Sequence, residues 1–371
     1  MKTSLFLAAF ILFLGLSFYV FHQSFGNVAV NNAIALTKNA TTGSVQGVSD
    51  SHEAVKAHEN DSARENTDTN AASNANKNAA TNETQPILYE SRAQATQILP
   101  TRKPNIPNLY VANAHASVVI DANSGTVLHE NASHEKRQIA SLTKLMTSMI
   151  IAERVKNLDE AVTIPEEAVY AEGTRVGCPR SGFCNGNRLK PGEKISVRSL
   201  LKAALMNSAN DAAISLGMHL GGTQAGFADI MNARAQELGL HDTHFCTPSG
   251  LEIDGHESEC YSSAYDIAKI TENALHYDIL WEIMRLPDTT ITSLDGALSH
   301  DIFNTDTLLG QYPNLLGTKT GFTPLAGYSL LAVATDPKKE HKIISVVLDD
   351  SKRWEDIQHM FEWTFASHTW Q

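Results

Sequence analysis

"ASLTKLMTSMI", Ala140–Ile150, is the stretch whose reading decides the fold. From Ser141 to Val155, apolar side chains fall at Leu142, Leu145, Met146, Met149, Ile150 and Ile151. That spacing predicts a helix with a broad buried face. Its first turn carries Ser141 and, three residues on, Lys144. Positions i and i+3 of a helix share one face. Serine is a poor nucleophile until a base removes its proton. Lysine can be that base only when burial or a second positive charge lowers its pKa. A solvated Ser-x-x-Lys pair is common by chance, so the remainder of the chain decides what this one means.

Ahead of this helix, "ASVVIDANSGTVLHEN" (Ala116–Asn131) holds two apolar runs around a turn. It predicts a β-hairpin: Ser117 to Ile120, a turn with Asn123 and Gly125, then Thr126 to His129. Behind the helix, the pattern fades into loops from Ala161 to Cys184, and Pro191-Gly192 marks a turn. A helix is expected from about Val197 to Met206, a break at Asn207–Asn210, and a new helix from about Asp211. Two further amphipathic helices are expected over 223–240, ending at Gly239, and over 262–277, with Ser262 or Ser263 as cap. Three strands follow in "LLGTKTGF" (Leu315–Phe322), "AGYSLLAVAT" (Ala326–Thr335) and "HKIISVVLDD" (His341–Asp350). "RWEDIQHMFEWTFASH" (Arg353–His368) closes as an amphipathic helix. The order predicts an α/β (α+β) fold. One five-stranded antiparallel sheet is built from both ends of the chain, with a helical lobe inserted between them.

The chain has 371 residues, too many for a single compact core. A net charge of −12 argues against a nucleic-acid partner, which wants a basic face. Leu5 to Phe21 is uncharged and strongly apolar. Residues 1–25 therefore read as a signal anchor or a cleaved signal peptide, the former holding the protein to a membrane through residues 5–21. Lys2 on the short side puts the bulk outside the cytoplasm. From 26 to 104 the composition turns to Asn, Ala, Thr and Asp, as in "TDTNAASNANKNAATNET" (Thr67–Thr84). Such a segment has little to bury and is expected to be a disordered tether. The folded domain is expected over 105–371.

Four cysteines fall in two local pairs, Cys178/Cys184 and Cys246/Cys260. In an exported domain these read as two disulfides. His244, Cys246, His256 and Cys260 could instead form a metal set, though their spacing matches no zinc pattern. Free thiols are the third reading. No cofactor and no metal are expected.

Two more short elements bear on Ser141. Ser208-Ala209-Asn210 sits at the break between helices, where a hydroxyl and an amide could face one pocket; the ordinary reading is a helix N-cap. Lys319-Thr320-Gly321 lies on the first late strand. A second lysine there could hold the first one neutral, Thr320 could bind a carboxylate, and Gly321 would let a substrate backbone lie along the strand. Each element alone is weak. The three in this order, on these elements, are hard to obtain by chance.

Together they resemble the elements of class A β-lactamases and penicillin-binding proteins. From about Asn108 onward the chain is similar to the low-molecular-weight penicillin-binding proteins, the serine D-alanyl-D-alanine carboxypeptidase family. "IASLTKLMT", "LMNSANDAA", "GTKTGFTPLAGYSL", "TPSGL" and "SSAYDIAKI" carry the likeness over roughly 260 residues. The resemblance implies that Ser141 attacks the carbonyl between two terminal D-alanines of a peptidoglycan stem peptide, with Lys144 as general base. It implies that Ser208 relays a proton to the leaving amine, and that Asn210 bonds the substrate amide. Lys319, Thr320 and Arg353 would hold the terminal carboxylate, and Gly321 would border the substrate backbone. The backbone N–H groups of Ser141 and Phe322 would form an oxyanion hole. β-Lactams are then expected as covalent inhibitors. The implied location is the cell envelope on the periplasmic side of an inner membrane.

Cutting of cross-links by a D,D-endopeptidase uses the same site and is the main alternative. A β-lactamase would need a glutamate-based deacylation element, and neither Glu237 nor Glu252 sits in such a form. A penicillin-sensing module is the third reading. The loop "CPRSGFCNGN" (Cys178–Asn187) is elaborated and, if it borders the cleft, is expected to influence which peptide enters. "EIDGHESEC" (Glu252–Cys260) also looks longer than usual.

Overall fold

The computed structural model describes residues 98–178, 184 and 187–371. The apolar run 5–21 and the tether up to residue 97 lie outside the described residues. Among those described, no helix is long and apolar enough to cross a membrane.

In chain order the strands are β1 (Pro100–Arg102), β2 (Ala114–Asp121), β3 (Val127–Asn131), β4 (Ala161–Thr163), β5 (Lys194–Ser196), β6 (Thr289–Thr292), β7 (Ser299–Ile302), β8 (Leu315–Thr323), β9 (Gly327–Thr335), β10 (Lys342–Asp350) and β11 (His368–Trp370). The helices are α1 (Thr143–Arg154), α2 (Glu166–Val169), α3 (Val197–Leu205), α4 (Asn210–Gly221), α5 (Gln224–Glu237), α6 (Ala264–Ala274), α7 (Asp278–Met284) and α8 (Arg353–Ser367). A 3-10 turn, Ala140–Leu142, leads into α1.

The central sheet has five strands in the order β3-β2-β10-β9-β8, and every pairing is antiparallel. Both ends of the chain build it, and the helical lobe lies between β3 and β8 in sequence. Period-2 alternation splits its side chains between two faces. Val118, Ile120, Ile344, Val346 and Leu348 join the large core with α1 and α6. Val119, Ile343 and Val347 face the other way and pack with Ile357, Met360 and Phe361 of α8. The sheet is therefore covered on both faces, which explains the near-continuous burial of β9 and β10.

The hairpin forms where the alternation placed it and runs a few residues longer. Its turn closes with Gly125 at φ 69, a backbone geometry that favours glycine. Ser263 caps α6 by accepting from the Asp266 N–H. Three regions differ from the sequence-based expectations. The segment 161–184 is not all loop, because β4 and α2 are too short for a periodic signal. Nothing was expected between 278 and 302, where α7 and the β6–β7 hairpin stand. The strand β1 lies within the segment expected to be tether. It pairs with β11, where Pro100 occupies the first strand position and loses no necessary bond.

Candidate active site

Three distant segments meet around one cavity of about 760 Å³. The first is the entry to α1. Ala140 adopts φ 48, a conformation uncommon for a residue with a side chain, and Ser141 follows it into the 3-10 turn. The turn is held from both sides. A Cβ on Gly250 would lie 2.0 Å from the Ala140 carbonyl, and one on Gly321 would lie 2.7 Å from the Ile139 carbonyl. Only glycine lets both segments approach so closely.

Lys144 is fully buried. Its Nζ lies 2.7 Å from Ser141 Oγ, 2.7 Å from Asn210 Oδ1 and 2.6 Å from the Ser249 carbonyl. The carbonyl can only accept, and so can the amide oxygen. The orientation of the Asn210 amide is set by Nδ2, which donates to the Glu172 carbonyl at 2.7 Å. Gly173 leaves room for that amide group; a Cβ there would come within 2.9 Å of Nδ2. A neutral amine has two hydrogens, and these two acceptors take both. Its lone pair is then left for the Ser141 hydroxyl. The arrangement can accept the serine proton.

The second segment is the break between α3 and α4. Ser208 sits at φ 56, outside the usual range for serine. The capping reading does not hold. Ala209 precedes α4 and makes no side-chain cap bond, and the side chains of Ser208 and Asn210 turn to the two lysines instead. The third segment is β8. Lys319, 1 % exposed, donates to Ser208 Oγ at 2.8 Å and to the Thr320 carbonyl at 2.9 Å. The Thr320 hydroxyl lines the cavity, 3.4 Å from that of Thr305. Arg353, at the start of α8, donates to the Gly321 and Ser329 carbonyls at 3.0 Å each and also lines the cavity. Its guanidinium lies 5.3 Å from the Tyr328 ring centre. Ser141 and Phe322 both line the cavity.

Burial lowers the Lys144 pKa well below the ordinary lysine value, and the positive charge of Lys319 lowers it further. Asp211 opposes both. Asp211 is itself fully buried, which raises its carboxyl to about 7 against the pull of hydrogen bonds from the Val176 and Ala212 N–H groups. The reading of the motifs did not include Asp211, although it adjoins Asn210. Nor did it include the Ser249 carbonyl, Glu172 or Thr305, and it considered Glu252 only as a β-lactamase glutamate. The segment "TPSGL" was the visible signal for Ser249 and its neighbours.

Both disulfides, Cys178–Cys184 and Cys246–Cys260, are present. This removes the metal reading of Cys246 and Cys260, whose sulfurs bond each other. His244 and His256 bond the Glu259 carbonyl and carboxylate. Cys178 and Cys184 line the cavity; the residues between them lie outside the described residues.

Residues 103–352 match the family described as D-alanyl-D-alanine carboxypeptidase. The chain is 30% identical over 262 residues to the D-alanyl-D-alanine carboxypeptidase DacF of Bacillus subtilis (strain 168), a match covering 69% of this chain and 63% of DacF. It thus spans less than two thirds of that relative's length. It is 31% identical over 246 residues to a D-alanyl-D-alanine endopeptidase of Pseudomonas aeruginosa, covering 66% of this chain and 74% of that protein. Among solved structures, a D-alanyl-D-alanine carboxypeptidase from Mycobacterium tuberculosis H37Rv is similar with a TM-score of 0.62 and 28% identity. That match covers 72% of this chain and 96% of the other.

Proposed function

This chain belongs to the D-alanyl-D-alanine carboxypeptidase family, and on that premise we propose that it removes the terminal D-alanine from peptidoglycan stem peptides through an acyl-enzyme on Ser141. The observation that carries the reading is the Lys144 amine, buried, bonded to Ser141 Oγ and flanked by a second buried lysine.

In the first step Lys144 takes the Ser141 proton as Oγ adds to the carbonyl carbon between the two D-alanines. The developing oxyanion faces the backbone N–H groups of Ser141 and Phe322. Such donors are worth about 3 kcal/mol each in acyl-transfer sites. The proton then passes by way of Ser208 to the leaving nitrogen, the peptide bond breaks, and D-alanine departs. In the second step water adds to the ester and restores Ser141. Lys319, Thr320 and Arg353 bind the terminal carboxylate, Asn210 bonds the substrate amide, and Gly321 gives the substrate backbone access to the strand. β-Lactams acylate the same serine. No cofactor or metal ion enters this scheme. The domain acts outside the cytoplasm, at the periplasmic face of the cell envelope. Residues 5–21 anchor it to the membrane.

Mass spectrometry of purified muropeptides after incubation with the full chain tests this. Loss of one alanine from pentapeptides is the expected product. Conversion of cross-linked dimers to monomers, with pentapeptides left intact, would assign the endopeptidase reaction instead.

A further inference from the structure

Among the described residues β8 is an edge of the central sheet, paired with β9 on one side only. Along it toward the C-terminus come Lys319, Thr320, Gly321, Phe322 and Thr323. An extended peptide can add to such an edge through its main chain while pockets read its side chains. The ammonium of Lys319 stands at one end of this line, where the carboxypeptidase reading puts the terminal carboxylate, and the Arg353 guanidinium stands farther along it, at Gly321. With the scissile carbonyl over Ser141, the peptide runs antiparallel to β8. The residue preceding the acylated D-alanine then reaches the Thr323 end.

Glu252 lines the cavity at that end. Its carboxylate accepts a hydrogen bond from the Thr323 hydroxyl. Among the described residues, no lysine, arginine or histidine forms an ion pair with it. Arg175, a described cation beside the disulfide, donates instead to the Val169 carbonyl and the Cys184 sulfur. A half-buried carboxylate without a cation gains from a ligand that brings one. The cleft is thus cationic where a C-terminus would lie and anionic one residue beyond the acylated position.

We propose that Glu252 is a specificity-determining residue, selecting stem peptides whose residue before the acylated D-alanine carries a side-chain ammonium. The proposal rests on the carboxypeptidase reading and adds the class of donor peptide to it.

The test compares two pentapeptides ending in D-alanyl-D-alanine. One carries lysine at the third position and the other Nε-acetyl-lysine. The readout is the ratio of kcat/KM for D-alanine release by the full chain, which cancels any loss common to both peptides. The wild type is expected to favour the free amine about 10-fold. Glu252→Gln is expected to bring the ratio close to one. Glu252→Lys is expected to turn preference toward a third peptide bearing Nε-succinyl-lysine, which presents a carboxylate. A wild type that treats lysine and acetyl-lysine alike, or a Glu252→Gln variant that keeps the full ratio, would overturn the proposal. Release of D-alanine from neither peptide by the wild type would overturn the carboxypeptidase reading first, and this proposal with it.

Discussion

Two lysines are buried behind residues that line the same cavity, and their surroundings differ. At the entry to α1, Lys144 meets a serine hydroxyl, an amide oxygen whose orientation is set from behind, and a main-chain carbonyl. On β8, Lys319 meets the Ser208 hydroxyl and its neighbour's carbonyl, and stands at the end of the cleft beside Thr320. Burial opposes charge on Lys144, and the ammonium of Lys319 adds to that opposition. The lesson is a division of labour between two copies of one side chain. The helix-entry lysine is placed to offer a lone pair to Ser141, while burial first and the positive charge of the strand lysine second lower its pKa. Ser208 touches the strand lysine while Asn210 touches the helix lysine, so the short break between α3 and α4 joins the two regions.

Removing the nucleophile is the largest perturbation of this pairing. Ser141→Ala is expected to abolish labelling by a fluorescent penicillin and to lower D-alanine release by about 10⁴-fold or more. The helix side of the comparison should otherwise persist, with a circular dichroism spectrum and melting temperature close to the wild type. Covalent labelling of this variant would break the assignment.

Lys319→Ala strikes the other side and is expected to cost less, roughly 10²–10³-fold in the acylation rate constant. Two losses contribute: the charge that the proposed reaction sets against the substrate carboxylate, and the field that lowers the Lys144 pKa. The acid limb of the acylation profile should move to higher pH, because Lys144 regains a proton more readily. Stopped-flow acylation by benzylpenicillin across pH reads both effects.

The smallest expected effect comes from Asp211, the buried carboxyl that pulls Lys144 in the opposite direction. Its folded pKa of about 7 exceeds the unfolded value of 3.8, so the folded state holds this proton more tightly. The resulting stability is present below the unfolded pKa and is lost as pH rises through about 7. Asp211→Asn removes that dependence. Relative to wild type, the variant should gain several degrees in melting temperature between pH 4 and pH 8, at about 2–4 °C per kcal/mol for a domain of this size. Scanning calorimetry at the two pH values checks it. A constant difference would mean that the carboxyl does not titrate in this window.

The two regions were not equally legible in the sequence. Helix periodicity located Ser141 and Lys144 on one buried turn, and alternation located β9 and β10, because both patterns reflect a single local period. The order of the motifs then suggested that Ser208, Asn210 and Lys319 approach them. The partner of each group was not readable, since it depends on close approach between segments far apart in the chain. The Ser249 carbonyl is a main-chain atom and leaves no residue-type signal. Gly250 and Gly321 matter because a Cβ would strike Ala140 or Ile139, which no spacing predicts. Asp211 looked like an ordinary acidic residue in the first turn of a helix, and burial alone gives it a different role. β1 was hidden by its three-residue length and its proline, and it becomes a strand only because β11 lies beside it.

The central claim is that Lys144 rests as a neutral amine because it is buried beside Lys319. Carbon-13 NMR of ε-labelled lysine in the full chain tests it most directly, with the Lys144 resonance assigned through Lys144→Arg. The account predicts that this resonance titrates well below the ordinary lysine value of 10.5 in the wild type, and at higher pH in Lys319→Ala. A Lys144 that titrates at or above the ordinary value in the wild type, or one that does not move when Lys319 is removed, would contradict it.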